Sequence, residues 1–158
     1  MLKRAKPEPR AVCKAMRKSF EIGGVSIKPG HRQSVDLSVP DLYTHTGITL
    51  PVHVVHGKLD GPVLFLSGAI HGDEINGVEI IRRILKSKRV NNIRGTLLAV
   101  PVVNIYGFIN KTRYLPDRRD LNRSFPGSET GSLASRMANV FLSQVVSRCT
   151  HGIDLHTA

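Results

Sequence analysis

A chain of 158 residues, 41% of them hydrophobic and 22% charged, can bury a core of its own and reads as a single globular domain. No apolar run approaches the eighteen or more residues of a membrane span, and the basic start, Met1 to Arg10, leads into no apolar h-region, so the chain reads as cytoplasmic rather than secreted. Two cysteines, Cys13 and Cys149, exclude a disulfide framework or a cysteine-built metal knuckle. The net charge of +11 would suit a polyanion, but the Lys and Arg residues are scattered and no Trp accompanies five Phe and three Tyr, which argues against nucleic acid as the partner.

Residues 1–19 read as a basic N-terminal segment. From Phe20 to Gly57 the pattern is β-structure: Phe20 to Ile27 ends at Lys28-Pro29-Gly30, Val35, Leu37 and Val39 alternate, and Ile48 to Val55 follows Thr46-Gly47. These pieces predict an antiparallel edge. His31, His45, His53 and His56 fall here without converging and are expected to be structural or surface residues. Leu59-Asp60-Gly61-Pro62 reads as a turn into Val63 to Leu66, a short branched run expected to form a strand buried on both faces.

After Glu74 the period changes. Ile75, Val78, Ile81 and Leu85 recur at three and four and predict a helix to about Ser87, and Gly95 to Pro101 then supplies a second buried strand. Strand, helix and strand in this order make a right-handed βαβ unit. Val102 to Ser132 shows no periodicity, and a loop of that length in a compact domain tends to be functional. Leu133, Met137, Val140, Phe141 and Val145 mark a second helix, and Gly152 to Ala158 a last strand.

Polar side chains gather at the ends of two of these strands. His71 and Glu74 lie where a buried strand stops and a helix begins, the place at which open α/β sheets put their ligands. An imidazole and a carboxylate three residues apart suit zinc, which in hydrolases usually takes three protein ligands and keeps a position for water. His156, on the last strand, could complete the set, with Asp154 on the same face as its outer partner. The arginines and the asparagine between Lys111 and Gly127 could grip an anionic substrate beside such a metal.

Three segments in order, His71-Gly72-Asp73-Glu74, Asp120-Leu121-Asn122-Arg123-Ser124-Phe125-Pro126-Gly127 and Asp154-Leu155-His156-Thr157, resemble the succinylglutamate desuccinylase and aspartoacylase family of zinc amidohydrolases, relatives of the zinc carboxypeptidases. The resemblance runs from about Phe20 to the last residue. It implies residues 20–158 as the N-terminal part of a catalytic domain, built as a carboxypeptidase-like three-layer α/β sandwich with a mixed, largely parallel sheet. It implies one zinc per chain on His71, Glu74 and His156, and a small anionic N-acyl amino acid as substrate, its carboxylate held by Asn122 and Arg123. Arg113, in Thr-Arg-Tyr, matches best the arginine that polarises the scissile carbonyl, with Arg118 and Arg119 as alternatives.

The chain departs from the family pattern in one respect. The family's catalytic glutamate lies well beyond the second zinc histidine, and neither Asp73, Glu79 nor Asp154 matches its role. The expectation is a zinc-binding but inactive 158-residue chain, with an uncovered sheet edge that favours self-association. Two other readings stay open at this point: a zinc carboxypeptidase acting on peptides, and a metal-free binding module for anionic ligands.

Overall fold

The structure, a computed structural model, describes residues 17–39 and 47–157. Cys13, His45 and nearly all of the expected basic N-terminal segment lie outside the described residues. Three short elements come first: β1 (Phe20–Ile22) and β2 (Val25–Ile27) form an antiparallel hairpin of their own, and β3 (His31–Ser38) enters the main sheet. Then follow β4 (Thr49–His56), β5 (Leu59–Gly68), α1 (Asn76–Lys86), β6 (Arg94–Val100), α2 (Ile105–Asn110), α3 (Leu133–Gln144) and β7 (His151–Leu155).

The main sheet has the order β3-β4-β6-β5-β7. β3 with β4 and β4 with β6 are antiparallel, whereas β6 with β5 and β5 with β7 are parallel. The expected antiparallel edge and the expected βαβ unit are therefore halves of one mixed sheet. Alternation along β6 shows why the sheet needs cover on both sides. Leu98 and Val100 enter one apolar cluster with Met137, Ala138 and Phe141 of α3, and Leu97 and Ala99 enter another with Ile81 and Leu85 of α1. Helix, sheet and helix thus make three layers, and each Leu or Ile sealed between them contributes roughly 1.5–3 kcal/mol of transfer free energy.

Helix α1 follows from its sequence. Ile81 and Leu85, four apart, are its buried stripe, Arg83 and Lys86 sit in its last turn where the dipole favours cations, and the extended Ser87 ends it. Two expectations need correction. Leu59 to Pro62 is not a separate turn but the start of β5, joined through a shift of register between Leu59 and Val63. Nor is Val102 to Ser132 without structure. It holds α2 and a single 3-10 turn, Leu121–Arg123, and its Val103, Tyr106, Leu115 and Leu121 are buried in the α3-side cluster.

The two parallel strands β5 and β7 end side by side, with Ser67 opposite Asp154 and Gly68 opposite Leu155. Among the described residues β7 is the last strand on that side of the sheet. Its Ile153 is 48% exposed, and Val63, Leu64 and Phe65 of β5 are only half buried, so this strand is less enclosed than its sequence suggests.

Candidate metal centre

The turn after β5 is held before any ligand is considered. Ala69 is fully buried with a φ of 48°, a left-handed conformation that a non-glycine residue adopts only where its surroundings enforce it. The enforcing contacts are the Val103 and Asn104 amides, which donate to the carbonyls of Gly68 and Ala69 at 3.0 and 2.9 Å. Gly72 then passes so close to α2 that a Cβ there would lie 2.0 Å from the Gly107 carbonyl carbon, which excludes any side chain. The turn ends with the Glu74 amide donating to the His71 carbonyl at 3.1 Å.

On this fixed turn the Glu74 carboxylate lies between two imidazoles. His71 Nδ1 is 2.6 Å from Glu74 Oε1, and His156 Nδ1, just past the end of β7, is 3.0 Å from Glu74 Oε2. The two rings are 5.1 Å apart, and one ligand atom from each of the three residues lies within 4.8 Å of the others. The far nitrogen of each ring meets an aspartate. His71 Nε2 is 3.2 Å from Asp120 Oδ1, and His156 Nε2 is 2.8 Å from Asp154 Oδ2. Those aspartates are themselves held: Ser67 donates its hydroxyl to Asp154 Oδ1 at 2.7 Å, and Arg113 donates through Nε and an end nitrogen to Asp120 Oδ2 at 3.1 and 2.9 Å.

This donor set fits a divalent cation. A neutral imidazole carries one N–H, yet each of these rings has a carboxylate oxygen at both nitrogens, so the contacts on Glu74 lack a partner that a cation among the three residues would supply. Charge agrees. With both imidazoles neutral, three carboxylates against the single Arg113 guanidinium leave two negative charges. Two imidazole nitrogens and a carboxylate oxygen are ligand types that zinc takes.

Burial pushes the Glu74 carboxyl up, but the Thr157 amide, which donates to Oε2 at 2.9 Å, and the His71 and His156 rings outweigh it and hold Glu74 below the usual glutamate range. Asp120 behaves in the same way: burial raises it, while Arg113, the Asn122 amide and His71 bring it below the ordinary aspartate value. Both are therefore poised as anions. Cys149, unpaired and partly buried, has its thiol pushed up to about 11 by desolvation and offers no competing thiolate.

Residues 60–158 match the family model described as the succinylglutamate desuccinylase/aspartoacylase catalytic domain. The chain belongs to that family. Within the desuccinylase/aspartoacylase family and its fold, three comparisons locate it. N-alpha-acetyl-L-2,4-diaminobutyric acid deacetylase of Halomonas elongata is 32% identical over 111 residues, 70% of this chain and 32% of that protein. A succinylglutamate desuccinylase/aspartoacylase of Rhodobacter sphaeroides is similar at a TM-score of 0.74 and 30% identity over 80% of this chain and 40% of the other. A metallo-carboxypeptidase from Pseudomonas aeruginosa has the same fold at a TM-score of 0.59 and 17% identity, over 80% of this chain and 35% of that one. The chain thus spans about a third to two fifths of the length of these relatives.

Of the sequence-predicted desuccinylase/aspartoacylase site residues, His71, Glu74, His156, Asp154 and Arg113 come together. Arg113 NH1 lies 3.9 Å from Glu74 Oε1, whereas Arg118 and Arg119 are exposed and join none of these contacts. Asn122 is half buried, and Arg123, on the same 3-10 turn, is exposed with no ion-pair partner among the described residues. Sequence reasoning missed Asp120 as an individual residue. It also missed Asn104, fully buried, which caps α2 through the Gly107 amide and donates to the Arg113 carbonyl at 3.2 Å.

No helix among the described residues is long and apolar enough to cross a membrane.

Proposed function

We propose that residues 20–158 carry the metal centre and substrate clamp of a zinc-dependent amidohydrolase that cleaves N-acyl amino acids. The observation that carries this reading is the Glu74 carboxylate between two imidazoles, each backed by an aspartate, in a cluster with two negative charges in excess. Family membership supports the reaction class, and the acetylated amino acid named for the Halomonas elongata relative supports the substrate class.

A zinc ion held by His71, Glu74 and His156 would supply a Lewis acid for the scissile carbonyl and an acidified water as nucleophile. The remaining work falls to the chain. Arg113, fixed by its two-pronged bond to Asp120, would donate to the carbonyl oxygen as negative charge develops there. The exposed guanidinium of Arg123, with Asn122 on the same 3-10 turn, would hold the amino-acid carboxylate in parallel hydrogen bonds and so fix the amide for attack.

The proton transfers need one more carboxylate. Glu74, Asp120 and Asp154 are engaged in the cluster, Glu79 is held by Arg82 and Arg83, and Asp73 is exposed and joins none of these contacts. We therefore assign the general base to a part of the catalytic domain outside residues 17–157, and expect those residues alone to bind zinc without useful turnover.

Two measurements test the reading. Metal analysis of the purified full-length protein should find close to one zinc per chain. A panel of N-acetyl-, N-succinyl- and N-formyl-amino acids, with C-terminally free peptides alongside, should show chelator-sensitive hydrolysis of the acylated amino acids. Absence of stoichiometric zinc would overturn the metal assignment, and preference for peptides would move the reading to a carboxypeptidase.

A further inference from the structure

We infer that Asp120 is the joint that ties the metal ligand His71 to the carbonyl-binding Arg113, so that one carboxylate sets both the electrophile and the metal. The inference rests on the proposed function and goes beyond it, because it concerns a residue with no role in metal or substrate contact.

The geometry is particular to one side of the site. Asp120 Oδ1 accepts from the Asn122 amide at 2.9 Å and faces His71 Nε2 at 3.2 Å, while Oδ2 accepts both prongs of Arg113. Its own carbonyl accepts from the Ser124 hydroxyl at 2.8 Å and from the Arg123 amide at 3.1 Å, so the backbone that presents the carboxylate is pinned as well. With His71 turned to a metal through Nδ1, its Nε2 carries the N–H, and every group around the Asp120 carboxylate is then a donor. An amide side chain cannot serve them. Asparagine has one oxygen for two sets of donors, and its NH2 would face either the imidazole N–H or the guanidinium. Asp154 offers the contrast, since it receives His156 and the Ser67 hydroxyl but no arginine.

The experiment compares Asp120→Asn with Asp154→Asn in the full-length protein. Zinc affinity is read by competition with a chromophoric chelator, and kinetics are then measured at saturating zinc. Both variants should bind zinc roughly 10- to 100-fold more weakly, the usual effect of losing the partner behind a ligating histidine. At saturating zinc Asp120→Asn should stay well below Asp154→Asn in kcat/KM, and adding Arg113→Lys to Asp120→Asn should cost little more, because the two changes remove one arrangement.

A second readout needs no turnover. The Arg113 Nε–H, which donates to Asp120 Oδ2 at 3.1 Å, should exchange slowly in the wild type and in Asp154→Asn and freely in Asp120→Asn. Full recovery of Asp120→Asn by zinc, additive losses in the double variant, an unchanged zinc affinity or an Arg113 Nε–H still protected would each overturn the joint. Wild-type protein that neither binds zinc nor hydrolyses N-acyl amino acids would instead remove the proposed function, and the exchange experiment would still decide whether Asp120 holds Arg113.

Discussion

The two histidines of the cluster meet the same carboxylate in opposite surroundings. His71 is 3% exposed, on a turn locked by backbone hydrogen bonds, and its supporting aspartate is held by an arginine and two backbone amides' worth of local structure. His156 is 39% exposed, follows the last described strand, and its aspartate rests on a single hydroxyl, that of Ser67. The cluster therefore has a preorganised half and a half that depends on one strand keeping its place. Ordering His71 is settled when the sheet and α2 assemble. Ordering His156 depends on five residues of β7.

The largest effect is expected at the residue both halves share. Glu74→Gln keeps the shape but removes the charge that faces both Nδ1 atoms, and it should reduce zinc affinity by more than the roughly 100-fold upper effect of losing an outer partner. Chelator competition checks it. Retained affinity would mean that the histidines bind metal without Glu74, and that neither half is organised as described.

Next in size is Arg113→Lys, on the His71 side alone. An ammonium keeps the charge but cannot bond Asp120 through two prongs and also reach a carbonyl. We expect kcat/KM to fall about 10²- to 10³-fold, the scale of losing one oxyanion donor, with zinc content unchanged. Steady-state kinetics of the full-length protein with metal analysis of the same sample separate the two quantities.

A smaller effect is expected at the exposed half. Asp154→Asn should weaken zinc by about tenfold, near the low end for such partners, because the amide oxygen can still accept from His156 while the Ser67 hydroxyl accepts from the NH2, and only the negative charge is lost. A loss as large as that of Asp120→Asn would erase the asymmetry.

A histidine outside the centre serves as a control, with the smallest expected effect. His56 is 3% exposed and faces only neutral oxygens, the Thr96 hydroxyl at 2.8 Å and the Lys18 carbonyl at 3.0 Å. Burial, opposed by the Lys18 carbonyl and aided by Arg17, lowers its pKa from the ordinary 6.5. The unfolded chain then binds the proton more readily, so the stability this residue contributes is complete above about pH 6.5 and is lost as the pH falls below it. Thermal melts from pH 8 to 5 should show a slope that shrinks in His56→Gln, and an unchanged slope would assign the pH dependence elsewhere.

How much of this could be read beforehand depends on whether a residue's role was local. His71 and Glu74 were legible because they stand three positions apart on one turn, and His156 because a polar pair alternates on an apolar strand. The family resemblance added Arg113, which lies 3.9 Å from Glu74, whereas Arg118 and Arg119 are exposed and make no contact in the cluster. Asp120 carried no individual role in the sequence, since its partners are 7 and 49 residues away and meet only when the 102–132 segment folds back on the turn. Helix α2 was missed because six residues with a glycine at the centre give too short a stripe for a period of 3.6 to register. The start of β5 was missed because Gly61-Pro62 carries the usual signal of a turn, and Gly61 is there instead for its close approach to the backbone of Gly95.

Glu74 draws one imidazole from three positions away along the chain and the other from 82. In a denatured chain the first encounter forms freely, whereas the second must close a long loop, whose entropic cost grows only as about (3/2)RT ln n. A cation gripped by all three residues would therefore report on tertiary assembly, acting as a latch that keeps β7 against β5, and chelation should release that strand before it disturbs the turn. The same logarithm makes the span between the histidines tolerant of change. Doubling its length would cost only about 0.6 kcal/mol in closure, so insertions there could reshape the mouth of the site while the latch stayed shut.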